Sequence, residues 1–402
     1  MDCENRQDTE DLITAAKKTI LFTANRPNLV MERGRGMYLW DTTGKRYLDF
    51  MGGWAVTSLG HCPAVITEAL NEQSAKLVNA SPAYYNVPMI QLAELLTKHS
   101  CFDKVFFAST GAEANESAIK LARKYGEKAL GGAYEIITAQ NSFHGRTLAT
   151  MSATGKEKWQ DLFEPKVPGF KHVPYNDIKA LREAVTEKTC AIMFEPIQGE
   201  GGVFALDETY ARLLRNLCDE KGILLIFDEV QTGLGRTGKL FAYEHSDIEP
   251  DIMTLAKGIG GGYPLAAMLT KKQFDLFEAG DQGGTYSSQP LGMAVGLAVV
   301  NEIIDKKLIE NAARQGTYIQ DKLNGIANKF GLTRIRGKGL LIAFDLPVEK
   351  GSEVVNACLK NGLLINSPRP KYIRLMPPLI VTAEDADDMI KTLSAALEEV
   401  LK

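Results

Sequence analysis

The stretch Ile223–Gly238, "ILLIFDEVQTGLGRTG", decides the fold class. It opens on an unbroken apolar run from Ile223 to Phe227, and Asp228 and Glu229 follow directly. Such a run suits a parallel strand covered by helices on both faces. Carboxylates at the end of a buried strand are rare unless paired. In open α/β sheets this carboxyl edge is where ligands bind. Two readings follow. Either an acid here meets a positively charged group of a ligand, such as a protonated ring nitrogen, or the acids cap a strand end and Arg236 neutralises one of them.

Working outward, the same alternation of strand and helix recurs. "KVFFAS", "YEIITAQ" and "TCAIMFEP" read as strands, and "YARLLRNLCDEKG" as a helix with a glycine stop. "VITEALNEQSAKLV" and "PMIQLAELLTKH" have amphipathic helical spacing, and "GMYLWDTTGKRYLDFMGG" (36–53) reads as a hairpin. From 291 to 330 the pattern is one long helical region, followed by "LTRIRGKGLLIAFDLP", a helix at "GSEVVNACLKNG", the strands "LLINS" and "YIRLMP", and a last helix from Ala383. The expected division is an N-terminal segment 1–59, a large α/β domain 60–295 with a mainly parallel sheet, and a small α+β domain 296–402 with which the N-terminal segment packs.

With 402 residues, 46 basic and 50 acidic side chains and a formal charge of -4, the chain offers no electrostatic case for nucleic-acid or membrane binding. No apolar run reaches the length of a membrane span. The six cysteines are widely spaced with no CxxC pair, and the N-terminus is acidic where a signal peptide is basic, so reduced thiols in a cytoplasmic protein are expected.

Four further stretches carry chemistry. In "TLAKGIGGGYPLA" (254–266) Lys257 stands between an apolar strand end and three glycines. That is either an exposed strand-end lysine or an amine in a pocket, where burial lowers its pKa and lets it attack a carbonyl. "FFASTGAEANESAIKLARKYG" is strand, turn and helix. Its Gly111 and Ala112 offer backbone N–H groups at a helix start, an anion site by geometry, although capping alone also explains the segment. "NSFHGRT" supplies Phe143, an aromatic for stacking or for the core, with His144 and Arg146, whose fork suits a carboxylate. "FEPIQGEGG" ends a strand at Glu195 and sets Glu200 among glycines. With five histidines and no metal-binding spacing, no metal is assigned.

Taken together, "STGAEANESAIKLARK", "SFHGRT", "EPIQGEGG", "FDEVQTGLGRTG", "TLAKGIGGGYP" and "IRLMPPL" make the chain resemble the class III pyridoxal-phosphate aminotransferases of fold type I, on the acetylornithine branch. The resemblance runs from about residue 20 to the C-terminus. It implies pyridoxal 5'-phosphate bonded to Lys257, with Asp228 at the ring nitrogen and Gln231 near the ring hydroxyl. Phe143 and Val230 would face the two sides of the ring, His144 belongs with the cofactor residues, and Gly111 and Ala112 cradle the phosphate. Thr285 completes that cradle from the other subunit of a homodimer. For substrate it implies Arg374 for the α-carboxylate of glutamate, Glu200 as the acid that pairs with Arg374 when an ω-amino donor is bound, and Arg146 for the carboxylate of acylated ornithine.

The implied reaction moves the terminal amino group of N2-acetylornithine to 2-oxoglutarate by a ping-pong mechanism. Other ω-aminotransferases, acting on 4-aminobutyrate, ornithine, lysine or succinylornithine, remain as alternatives. So do an aminomutase and a silent binding protein on this fold. Two stretches depart from the pattern. Trp54 stands where a smaller aliphatic residue is usual, and either walls the substrate channel or packs in the core. "GGTYSSQP" carries Ser287, Ser288 and Gln289 after the retained Thr285.

Overall fold

The computed structural model of the chain describes residues 8–402, so Cys3 and the acidic start of the N-terminus lie outside the described residues. Leu224–Asp228 is a fully buried strand. It lies at the middle of a seven-stranded sheet, whose order is Lys104–Ala108, Ala266–Thr270, Ile252–Leu255, Leu224–Asp228, Thr189–Phe194, Glu135–Ala139 and Phe170–Val173. Burial on both faces is what an unbroken apolar run requires, because every second side chain points to the opposite face.

The sheet is parallel except at Ala266–Thr270, which runs antiparallel to both its neighbours. This strand follows the glycine turn after Lys257 and sends the chain straight back along the sheet. The register places Asp228 opposite Thr254 and Phe227 opposite Phe194. Asp228, Glu195 and the turn at Lys257 therefore come to one carboxyl edge of the sheet.

Helix Gly111–Ala129 begins at the same edge. Its N-cap Thr110 and Glu113 form a reciprocal capping box, which meets the orphan N–H groups at this end of the helix. Ala114, Ala118 and Ala122 are buried along one stripe, small residues that let the helix lie close to the sheet.

The long helical region is two helices, Pro290–Asp305 and Leu308–Phe330. Lys307 breaks it, with a left-handed φ of 54°. Such a break is invisible to apolar spacing, which continues through it. Beyond it, Thr333–Lys338, Leu341–Asp345, Tyr372–Leu375 and Asn366–Arg369 form a second, antiparallel sheet. The hairpin near the N-terminus is extended by Met31–Arg35, and Arg46–Asp49 pairs in parallel with Leu363–Leu364. Among the described residues no helix is long and apolar enough to cross a membrane.

Candidate active site

A cavity of about 540 Å³ opens at the carboxyl edge of the large sheet. Gly111, Ala112, Phe143, His144, Arg146, Glu200, Asp228, Val230, Gln231 and Lys257 all line it. Residues from Val56 to Leu265 are thus brought to one place.

Asp228 is 4% exposed and meets three donors, which leaves acceptor capacity on Oδ1. Asn115 Nδ2 donates to its Oδ2 at 2.7 Å, His144 Nδ1 lies 2.8 Å from the same oxygen, and the Val230 N–H donates to Oδ1 at 3.0 Å. An ionised carboxylate only accepts, so Nδ1 of His144 carries the proton of that contact. Asn115 is itself fixed, donating to the His144 carbonyl at 2.7 Å and accepting from Thr254 at 2.6 Å. Apolar spacing sets no polar residue apart on a helix, so sequence reasoning missed Asn115. Its place four residues after Gly111, on the buried stripe, was the available signal.

Glu229, the neighbouring acid, turns the other way. It accepts from the N–H groups of Ala242 and Tyr243 at 2.6 and 2.8 Å and from Thr232 at 3.2 Å. Burial pushes its carboxyl up to about 7 despite these donors. Arg236 neutralises neither acid, contrary to the capped-strand reading. It donates to the carbonyls of Leu340, at 3.1 Å, and Pro377.

The Lys257 backbone adopts a left-handed φ of 45° in a short turn after strand Ile252–Leu255. Burial holds its amine below the ordinary lysine range, while Asp228 draws it partly back. The exposed-lysine reading fails here. Glu195 accepts from the Phe143 N–H at 2.9 Å, and burial raises its carboxyl to about 7.

At the helix start, Glu113 takes the N–H groups of Ser109 and Thr110 at 2.9 and 2.8 Å. The N–H groups of Gly111 and Ala112 are left without a protein acceptor among the described residues. A Cβ on Gly111 would stand 2.9 Å from Val230 Cγ1, so only glycine keeps this wall and the Val230 side chain together.

Glu200 in the cavity wall leads into an ion-pair cluster behind it. Arg374 is 0% exposed, on strand Tyr372–Leu375. Strand pairing sets Asn366 opposite it, and Asn366 Oδ1 accepts from Nε at 3.0 Å and Nη2 at 2.7 Å. Arg374 Nη2 also meets Glu200 Oε1 at 2.8 Å, and Gln231 Oε1 accepts from Nη1 at 3.4 Å. Gly199 allows that crowding, since a Cβ there would fall 1.6 Å from Gln231 Oε1. Burial alone would raise the Glu200 carboxyl, but Arg374 and Lys156 outweigh it and hold it at about 2. Lys156 and Asn366 were not foreseen.

Arg146 is exposed at the rim, its guanidinium 5.1 Å from the Trp159 ring and 5.9 Å from that of Phe143. Phe143 is half-buried in the wall rather than in the core. Thr285 is exposed and does not line its own chain's cavity. Trp54 does not line it either. It is 55% exposed, which excludes core packing, and only its carbonyl reaches the site, accepting from Gln231 Nε2 at 3.3 Å.

Comparison with known proteins identifies the family. The profile of the family Aminotransferase class-III matches residues 22–397. The acetylornithine aminotransferase of Ralstonia nicotianae is 50% identical over 388 residues, covering 95% of this chain and 97% of the relative. That of Methanocaldococcus jannaschii is 46% identical, covering 98% and 99%. Among solved structures, the ornithine aminotransferase of Toxoplasma gondii, seen with PLP at partial occupancy, superposes with a TM-score of 0.94 at 32% identity, covering 98% of this chain and 95% of that one. The acetylornithine aminotransferase of Elizabethkingia anophelis superposes with a TM-score of 0.87 at 34% identity, covering 98% and 100%. The chain belongs to the class III aminotransferases, pyridoxal-phosphate-dependent enzymes of fold type I, and within them to the acetylornithine and ornithine aminotransferase subfamily that acts on ω-amino acids.

Proposed function

We propose that this enzyme transfers the terminal amino group of N2-acetylornithine to 2-oxoglutarate, giving N-acetylglutamate 5-semialdehyde and glutamate. One observation carries the reading: Arg374, fully buried, is paired at 2.8 Å with Glu200, which lines the cavity. An ω-amino donor presents no carboxylate near its reacting end, whereas glutamate presents one. A buried arginine that is neutralised by an acid suits the first, and the same arginine released from that acid suits the second. The two named relatives, 50% and 46% identical over 95% and 98% of this chain, support the acetylated donor.

The residues fit the cofactor. Asp228, fixed in place by its three donors, would be the acid for a protonated ring nitrogen. The free N–H groups of Gly111 and Ala112 at a helix start are the site for its phosphate. Phe143, Val230 and Gln231, all in the cavity wall, would hold the ring. When bound, pyridoxal phosphate supplies an aldehyde for amine exchange and a ring that withdraws electrons from the substrate carbon. Lys257 would be the residue to hold that aldehyde, and its burial favours the neutral, nucleophilic amine. With the cofactor in place, Lys257 Nζ would be the group placed to hold and move the proton of the substrate carbon, as general base and acid. Arg146 at the rim binds the α-carboxylate of the acylated donor.

A homodimer is part of the proposal, with Thr285 completing the partner's phosphate site. It is supported by the exposure of Thr285 and of Trp54, Tyr84, Tyr85 and Tyr286. Asn86 Nδ2 donates to the Ser288 carbonyl at 2.9 Å and ties these loops together. A reducing, cytoplasmic setting is also proposed, supported by the five described cysteines, which are free thiols.

The T. gondii structure favours a second reading, ornithine as donor. Initial rates with N2-acetylornithine, ornithine, N2-succinylornithine, 4-aminobutyrate and lysine against 2-oxoglutarate decide. The highest kcat/KM is expected for N2-acetylornithine, and a higher value for ornithine would replace this reading with the second.

A further inference from the structure

Glu200 has two cations, one on each oxygen. Arg374 Nη2 meets Oε1 at 2.8 Å, and Lys156 Nζ meets Oε2 at 3.2 Å. Lys156 lies just beyond helix Leu148–Ala153, on a different element from either partner, and its side chain is 15% exposed. Its ammonium stands 4.7 Å from the ring centre of Phe143 and 5.1 Å from that of Trp159. The two rings themselves pack edge to face at 5.8 Å. This aromatic corner fixes the ammonium independently of Glu200.

Arg374 likewise has a support that does not depend on Glu200, since Asn366 accepts from both Nε and Nη2. Either cation thus keeps its place when the carboxylate moves. A buried carboxylate stripped of all counter-charge is strongly disfavoured. If Arg374 were the sole partner of Glu200, a substrate carboxylate taking that arginine would leave the acid uncompensated in a half-closed cavity.

We propose that Lys156 is the partner on which Glu200 rests while Arg374 holds a substrate α-carboxylate, which makes it a positioning residue for the glutamate half-reaction. The proposal rests on the reading of Arg374 and Glu200 as a separable pair. Lys156 lowers the cost of parting them, because Glu200 keeps the contact through Oε2 when the one through Oε1 is broken. It acts on dicarboxylate binding through Glu200, without touching the ligand.

Glutarate, a dicarboxylate with no reacting group, is the probe, titrated calorimetrically into the holoenzyme. In Lys156→Met the aliphatic stem still packs on Phe143 and Trp159 but the charge is gone. Glutarate should then bind about tenfold more weakly than to the wild type, while Lys156→Arg stays within about threefold of it. In a Glu200→Ala background, where nothing remains to be rested, Lys156→Met should change glutarate affinity by less than about twofold. An unchanged affinity in Lys156→Met alone overturns the proposal. So does an equal loss in both backgrounds, which would mean that Lys156 meets the ligand or merely supports the fold. The Glu200→Ala single variant tests the underlying reading separately. It should bind glutarate at least as tightly as the wild type, and weaker binding there defeats the separable pair itself.

Discussion

At the floor of the pocket Asp228 is tied to three donors of the protein, while at the mouth Glu200 is tied to two cations on separate elements. The floor network closes on itself: Asn115 holds Asp228, the His144 carbonyl and Thr254 together, across two strands and a helix. No step of the proposed reaction asks it to move. The mouth is a chain of ion pairs in which each member has a second support, so one link opens without stranding a charge. Preorganisation suits a group that must stay ionised in one position, and exchangeable partners suit a pocket that must accept two unequal substrates in turn.

The largest expected effect is at the floor. Lys257→Ala removes nucleophile and proton carrier together, and turnover should fall by more than about 10⁴-fold, read as steady-state transamination. Borohydride reduction of the wild-type holoenzyme followed by peptide mapping should place the pyridoxyl group on Lys257. Label on Lys239 or Lys271 would break the assignment.

Next is Asp228→Asn, which keeps the shape but supplies no negative charge. A loss of about 10³-fold in kcat is expected with a folded protein, and Asp228→Ala should be as poor. Near-normal transamination by either well-folded variant would contradict the role given to Asp228.

A third, smaller effect concerns Glu195, which shares the floor. Its carboxyl lies near 7 in the folded protein against 4.5 for the ordinary group. A raised value means the stability linked to this acid is present below about pH 4.5 and is lost as pH rises through about 7. Glu195→Gln keeps an acceptor for the Phe143 N–H and removes the titration. Relative to the wild type it should gain up to about 3 kcal/mol between pH 5 and 8. Thermal unfolding at both pH values, at equal cofactor saturation, reads this as a melting-temperature gap of a few degrees that widens with pH. A gap that stays constant would mean Glu195 is not titrating in that range.

The floor was largely legible in the sequence and the mouth was not. Asp228 and Lys257 announce themselves because each is a charge at the end of an apolar strand, and such positions demand a partner. Even there, "DE" is ambiguous. Which of two adjacent acids faces the cavity depends on the pleat and on the donors each one meets, and Glu229 is claimed by Ala242 and Tyr243. The reversed strand Ala266–Thr270 was also missed, since a buried apolar run reads alike in either direction. Arg374, and the role of Glu200 as its partner, were found through family motifs, whereas local pattern showed only that Glu200 sits among glycines. Nothing in "ATGKEKWQ" separates Lys156 from Lys158, and Asn366 reaches Arg374 only through strand register.

The contrast between a fixed floor and an exchangeable mouth is tested most directly by Glu200→Ala in separate single-turnover half-reactions, one with N2-acetylornithine and one with glutamate. The variant leaves Arg374 permanently open to an α-carboxylate, with its charge uncompensated when the ω-amino donor binds. The glutamate half-reaction should be as fast as in the wild type or faster, and the acetylornithine half-reaction slower, shifting the ratio of the two by about tenfold. Equal losses in both would contradict the account and leave Glu200 as an acid that only shapes its loop.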